Sequence, residues 1–92
     1  GQFLHITHWL AVSYKKNKSN SLRWGWTISK KVGNAVTRNR LRRWGKEFVR
    51  EFSDNEIDIN FIFKAKKNKE FYKQLEHQEF DIAFKKVFEK AQ

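Results

Sequence analysis

Between Lys30 and Lys46 the chain carries seven cations and no acid: Lys30, Lys31, Arg38, Arg40, Arg42, Arg43 and Lys46. Two amides, Asn34 and Asn39, stand among them. A guanidinium fork matches phosphate oxygens two at a time, and an amide adds donors and an acceptor for a sugar or a base edge. The chemistry these residue types can do is recognition of a polyanion, and a phosphate backbone is the commonest one.

The spacing predicts how these groups are presented. At about 100° per residue, Arg38, Arg42, Lys46, Asn39, Arg50 and Arg43 share a helical arc of about 140°. Leu41, Trp44, Gly45, Phe48, Val49 and Phe52 fill the adjoining arc, also about 140° wide, and should face a core. Arg40 points about 160° away from Arg42, on the flank of Glu47 and Glu51, so a separate contact is expected for it. Lys30, Lys31 and the Gly33-Asn34 turn precede the helix, where free N–H groups and the helix dipole favour an anion. A merely solvated face is the plain alternative, and the lack of compensating acid argues against it.

The elements that position this segment follow from periodicity. Asn34 or Thr37 can cap a helix running to about Phe52. Gly45 inside it costs about 1 kcal/mol relative to Ala, and close packing against a sheet is the expected compensation. HITHWLAVSY, residues 5–14, alternates as a strand with apolar groups on both faces, and a basic loop, residues 15–21, leads to a second strand, LRWGWTIS, residues 22–29. These two are expected to pair antiparallel. In the second, Leu22, Trp24, Trp26 and Ile28 share one face, whereas Arg23, Gly25, Thr27 and Ser29 share the other. IDINFIFKA, residues 57–65, is a third strand, so strand, helix and strand form a crossover unit. After a basic linker, KKNK at residues 66–69, comes a helical turn around Phe71 to Leu75. A firmer helix from about Gln78 to Ala91 follows, with Phe80, Ala83, Phe84, Val87 and Phe88 as its core stripe.

Size and composition bound the class. Ninety-two residues make one domain, 1–92, of α+β type. A 33% charged content, with no apolar run near the roughly 18 residues a spanning helix needs, excludes a helical membrane protein. No signal-peptide pattern is present. Zero Cys removes disulfides and thiolate metal sites and fits a reducing cytoplasm. The first 50 residues hold twelve Lys/Arg against Glu47, or +11, and the remainder eight against nine, or −1, which sums to the net +10. The charge is therefore concentrated in the first half.

Other constellations are weaker. His5 and His8, three apart on a strand, fall on opposite faces and do not suit a shared metal. Asp54, Glu56 and Asp58 alternate and could offer oxygens to magnesium, but an acidic turn entering a strand is commoner. Trp24 and Trp26 could stack on bases, although alternating aromatics in a strand usually serve a core. A DNA-binding regulator or a protein-only nuclease fits poorly, because the basic helix lacks a helix-turn-helix partner and no acidic or His/Lys site is clustered.

SKKVGNAVTRNRLRR, residues 29–43, resembles the signature of the bacterial ribonuclease P protein subunit, with Arg-Asn-Arg following Lys-Lys-x-Gly-Asn-Ala-Val. The resemblance extends in order through LRWGWTIS, the basic helix, DINFIFKAKK and the closing amphipathic helix. It implies a ribosomal-protein-like fold, a mixed β-sheet packed by helices with a left-handed βαβ crossover, an exception to the usual hand. It also implies a non-catalytic subunit of an RNA-catalysed endoribonuclease, inactive alone and without catalytic side chains. The partners implied are ribonuclease P RNA and precursor tRNA with its 5′ leader, in the cytoplasm and without a membrane. Magnesium would be held mainly by the RNA subunit and substrate, with no metal site in the protein and no organic cofactor. The RNA-binding residues carried over are Lys30, Lys31, Asn34, Arg38, Asn39, Arg40, Arg42, Arg43 and Lys46, with Arg40 either paired to a nearby acid or touching a second RNA segment. The family's leader cleft is bordered by the sheet and the basic helix. The family's N-terminal helix is expected to be missing, since the chain starts at Gly1 about where that helix would end. A general RNA-binding or ribosomal-type protein without processing activity is the alternative.

Overall fold

The strand with the cleanest apolar alternation lies inside the sheet, paired on both sides. A computed structural model describes residues 1–19 and 21–91. Its sheet comprises β1 (Gln2–His5), β2 (Leu10–Lys16), β3 (Arg23–Thr27) and β4 (Ile57–Phe63), in the order β1-β2-β4-β3. β4 runs antiparallel to β2 and parallel to β3, with Phe61 opposite both Val12 and Trp26. Helix α1 (Ala35–Val49) and a 3₁₀ turn, Arg50–Phe52, carry the chain from β3 to β4. The expected strand-helix-strand crossover is thus present. A short α2 (Phe71–Gln74) and a long α3 (His77–Lys90) complete the chain.

Two strand expectations need correction. β2 and β3 do not pair; β4 stands between them. Ile57, Ile59, Phe61 and Phe63 are all buried, and a strand that apolar satisfies more of its packing and ladder bonds between two neighbours than at an edge. The stretch 5–14 is also not one strand. Thr7 Oγ1 accepts from the amides of Trp9 and Leu10 at 3.2 and 3.0 Å, and Ile6 N donates to Leu10 O at 2.9 Å. This turn folds β1 back on β2 as a hairpin, with Leu4 opposite Val12.

The core lies between one sheet face and the two long helices. Asn34 caps α1, its Oδ1 accepting from Thr37 N at 2.9 Å. Leu41, Gly45 and Val49 are buried along the predicted stripe. Gly45 is needed because the Trp26 ring lies against the helix: a Cβ there would stand 2.1 Å from Trp26 Cη2. On α3, Phe80, Ala83, Phe84, Val87 and Phe88 are buried. Phe88 stacks on Phe52 at 4.1 Å, and Phe84 on Phe61 at 4.6 Å, tying the 3₁₀ turn after α1 and the sheet to α3. Each such side chain contributes about 1.5–3 kcal/mol by leaving water. Tyr72 of α2 is buried, its hydroxyl against the carbonyls of Trp9 and Lys64. The opposite sheet face is open, with Ser13, Lys15, Arg23 and Thr27 exposed alongside Phe3.

Candidate nucleic-acid interface

Helix α1 turns its cations outward because its apolar arc is fixed from below. Asn39, Arg42, Arg43 and Lys46 are exposed. Arg42 Nη1 donates to Asn39 Oδ1 at 3.1 Å, which holds one guanidinium beside one amide on the same ridge. Arg38 is half-buried, and its Nε is enclosed without a hydrogen-bond partner. Among the described residues, the Lys and Arg ion pairs are Arg23–Asp58 and Lys73–Glu70, so none of these α1 cations is neutralised. The ridge is therefore charged and unpaired, the state in which a phosphate backbone gains most from displacing counterions.

Arg40 diverges, as the helical wheel predicts. Its Nη2 donates to the carbonyls of Tyr72 and Lys73 at the end of α2, and its guanidinium lies 4.9 Å over the Trp44 ring. The last carbonyls of a helix lack internal partners, so a cation there satisfies them. Trp44 also stacks on His77 at 4.5 Å with an interplanar angle of 5°. Arg40 thus links α1 to α2 through backbone carbonyls, with no acid as its partner.

Lys30 and Lys31 are exposed on the 3₁₀ turn Lys30–Val32, where Ser29 Oγ accepts from Lys31 N at 3.3 Å. Asn34 is exposed but its oxygen is occupied by the cap. Across a concavity from Lys30 and Lys31 stand Lys66, Lys67 and Lys69. KKNK reads as a linker in the sequence, and this juxtaposition escapes that reading. The available signal is topological: β3 and β4 are parallel neighbours, so the segments after them leave the same end of the sheet.

The weaker candidates have other occupations. Asp58 accepts from Arg23 Nε and Nη2 at 2.7 and 2.6 Å and from Asn17 at 2.7 Å. These hydrogen bonds, Arg23's first, hold its carboxyl down at about 2. Among the described residues no three His, Asp or Glu side chains converge as a metal site. His5 Nδ1 lies 2.7 Å from Lys64 Nζ, while His8 packs edge-on to Phe71 at 5.2 Å, so the two histidines are not brought together. Trp26 packs on Phe61 at 5.1 Å in the core, and Trp24, 37% exposed, lies edge-on to Trp26.

A mixed sheet with one basic helix laid across it, cations outward, defines a small α+β protein built around a charged ridge. The chain belongs to the Ribonuclease P family, whose model matches residues 4–92. It is 45% identical over 69 residues to the ribonuclease P protein component of Desulfosudis oleivorans, covering 72% of this chain and 56% of that one. The RNase P protein from Thermotoga maritima, solved with 1-(4-fluorophenyl)-2-thiourea, is 26% identical, with a TM-score of 0.82 over 95% of this chain and 82% of its own. The Staphylococcus aureus RNase P protein shares the fold at a TM-score of 0.81 and 23% identity, over 100% of this chain and 82% of that one. The chain spans 53–63% of the length of the first curated relatives it matches. The α+β fold implied by the resemblance is the fold of these proteins.

Proposed function

We propose that this chain acts as the protein subunit of ribonuclease P. It binds the catalytic RNA and the 5′ leader of precursor tRNA, and assists RNA-catalysed, magnesium-dependent removal of that leader. The observation that carries the reading is the family match over residues 4–92, which includes every residue of the charged ridge. Lys30, Lys31, Asn34, Arg38, Asn39, Arg42, Arg43 and Lys46 contact RNA, and Arg40 positions the helix. No side chain serves as nucleophile. Magnesium is held mainly by the RNA subunit and substrate, and the chain's cations lower the repulsion between the two RNAs. The open sheet face borders the leader, offering Lys15 to its phosphates. No helix of the described residues is long and apolar enough to cross a membrane, and the proposed place of action is the cytoplasm.

The test is precursor-tRNA cleavage with catalytic RNA alone, protein alone and both, at low magnesium and moderate salt. Both together should cut at one site faster than RNA alone, and protein alone should be inactive. Cleavage by protein alone sinks the reading. RNA binding without any stimulation would instead support a general RNA-binding protein.

A further inference from the structure

The carboxyl ends of β3 and β4 lie side by side, because the two strands are parallel neighbours. Each strand is followed by a lysine-bearing segment, and the two segments face each other. Lys30, Lys31 and Gly33 line one side of a concavity of about 640 Å³, and Ala65, Lys66, Lys67 and Lys69 line the other. Five lysines line it and no acid does. Among the described residues none of the five lysines is in an ion pair. Glu70, the nearest acid in sequence, pairs instead with Lys73 at 3.7 Å.

The walls are shaped rather than loose. Asn68 Oδ1 accepts from Glu70 N at 3.0 Å and Asn68 O from Phe71 N at 3.1 Å, so the turn carrying Lys67 and Lys69 is closed on itself. Lys66 Nζ donates to His8 O at 3.2 Å and lies 5.8 Å from the Phe71 ring, which anchors the loop to the β1–β2 turn. On the other wall, a Cβ at Gly33 would meet Thr37 Cβ and Cγ2 at 3.1 Å. The N-terminal end of α1 begins just beyond and adds its partial positive charge. Clustered ammonium groups repel one another until an anion enters, and the volume lies within the roughly 300–1,000 Å³ of ligand sites, more than one phosphate needs.

We infer that this five-lysine concavity is a second phosphate-binding site, gripping successive phosphodiesters of an RNA strand that passes over the carboxyl ends of β3 and β4. It extends the RNA-contacting surface beyond α1 to Lys66, Lys67 and Lys69, and it rests on the RNA-binding function proposed above. The phosphates belong either to the catalytic RNA or to the precursor, and the two are separable by experiment.

The Lys67→Ala/Lys69→Ala protein is compared with wild type and with Lys85→Ala/Lys86→Ala, which removes the same charge from exposed positions on α3. Affinity is measured between about 50 and 200 mM salt in two arms, protein with catalytic RNA and assembled holoenzyme with precursor. In the arm that uses the site, loss of two phosphate contacts should flatten the log–log slope by about 1.4–1.8. The α3 control should leave the slope unchanged. An unchanged slope in both arms, or an equal change in the control, overturns the site. Independently, inorganic pyrophosphate titrated into isotope-labelled protein should shift the amides of Gly33 and residues 66–69, and the Lys67→Ala/Lys69→Ala variant should lose those shifts. Shifts confined to other residues overturn the inference. Should the wild-type chain fail to stimulate cleavage, the ribonuclease P reading fails, while pyrophosphate shifts at Gly33 and residues 66–69 still support the phosphate site.

Discussion

Replacing Gly45 with Ala sets two opposing effects against each other in the one contact that seats the basic helix on the sheet. In a helix interior Ala is favoured over Gly by about 1 kcal/mol. The added Cβ, however, would stand 2.1, 2.7 and 3.0 Å from Cη2, Cζ3 and Cζ2 of Trp26. Carbon atoms in contact sit about 3.5–4.0 Å apart, so helix or ring must yield by about 1.5 Å. The ring has little room, being packed at 5.1 Å on Phe61 and at 6.2 Å on both Phe63 and Phe84. Overpacking costs about 1–3 kcal/mol, and a clash this close belongs at the upper end. The net expectation for Gly45→Ala is a loss of about 2 kcal/mol, or about 8–16 °C in Tm for a domain of this size. Thermal unfolding followed by circular dichroism reads this directly. In a Trp26→Leu background the obstacle is gone, so the same substitution should become neutral or stabilising by up to about 1 kcal/mol. A Tm raised by Gly45→Ala in the wild-type background would refute the reasoning.

Arg40→Ala should lower stability by about 1–2 kcal/mol, since it strands two carbonyls and loses the Trp44 contact. Arg43→Ala, at an exposed position, should stay within about 0.5 kcal/mol of wild type in denaturant unfolding. Tyr72→Phe removes the hydroxyl held by the Trp9 and Lys64 carbonyls and should cost about 1–3 kcal/mol by the same assay. For Asp58, the folded carboxyl titrates at about 2, below the unfolded value of about 3.9. Its contribution is therefore full above that unfolded value and is lost as pH falls through about 2. The Tm difference between wild type and Asp58→Asn should stay constant near neutrality and close in that acid window.

The helices were legible because their signals are local. The apolar arc of α1, the Asn34 cap and the stripe from Phe80 to Phe88 follow from residue spacing alone, and Arg40 separates from Arg42 by the same arithmetic. Gly45 was also readable as a close approach, although its partner, Trp26, was not. Sheet order was not legible: Val12, Trp26 and Phe61 each alternate correctly, and nothing in β2 or β3 alone says that β4 inserts between them. The Thr7 turn was hidden because apolar residues on both sides of it continue the alternation of a single strand. The same nonlocality concealed Lys66, Lys67 and Lys69, which meet Lys30 and Lys31 only through the parallel pairing of β3 with β4.

RNA binding by the outward ridge of α1, through phosphate contacts, is the proposal on which the function rests. It is tested most directly by the salt dependence of catalytic-RNA binding by an Arg42→Ala/Arg43→Ala/Lys46→Ala protein, with its fold checked by circular dichroism. Three lost contacts should reduce the log–log slope by about 2.1–2.7 relative to wild type, with weaker binding throughout the low-salt range. A folded triple variant with the wild-type slope and affinity would contradict the account.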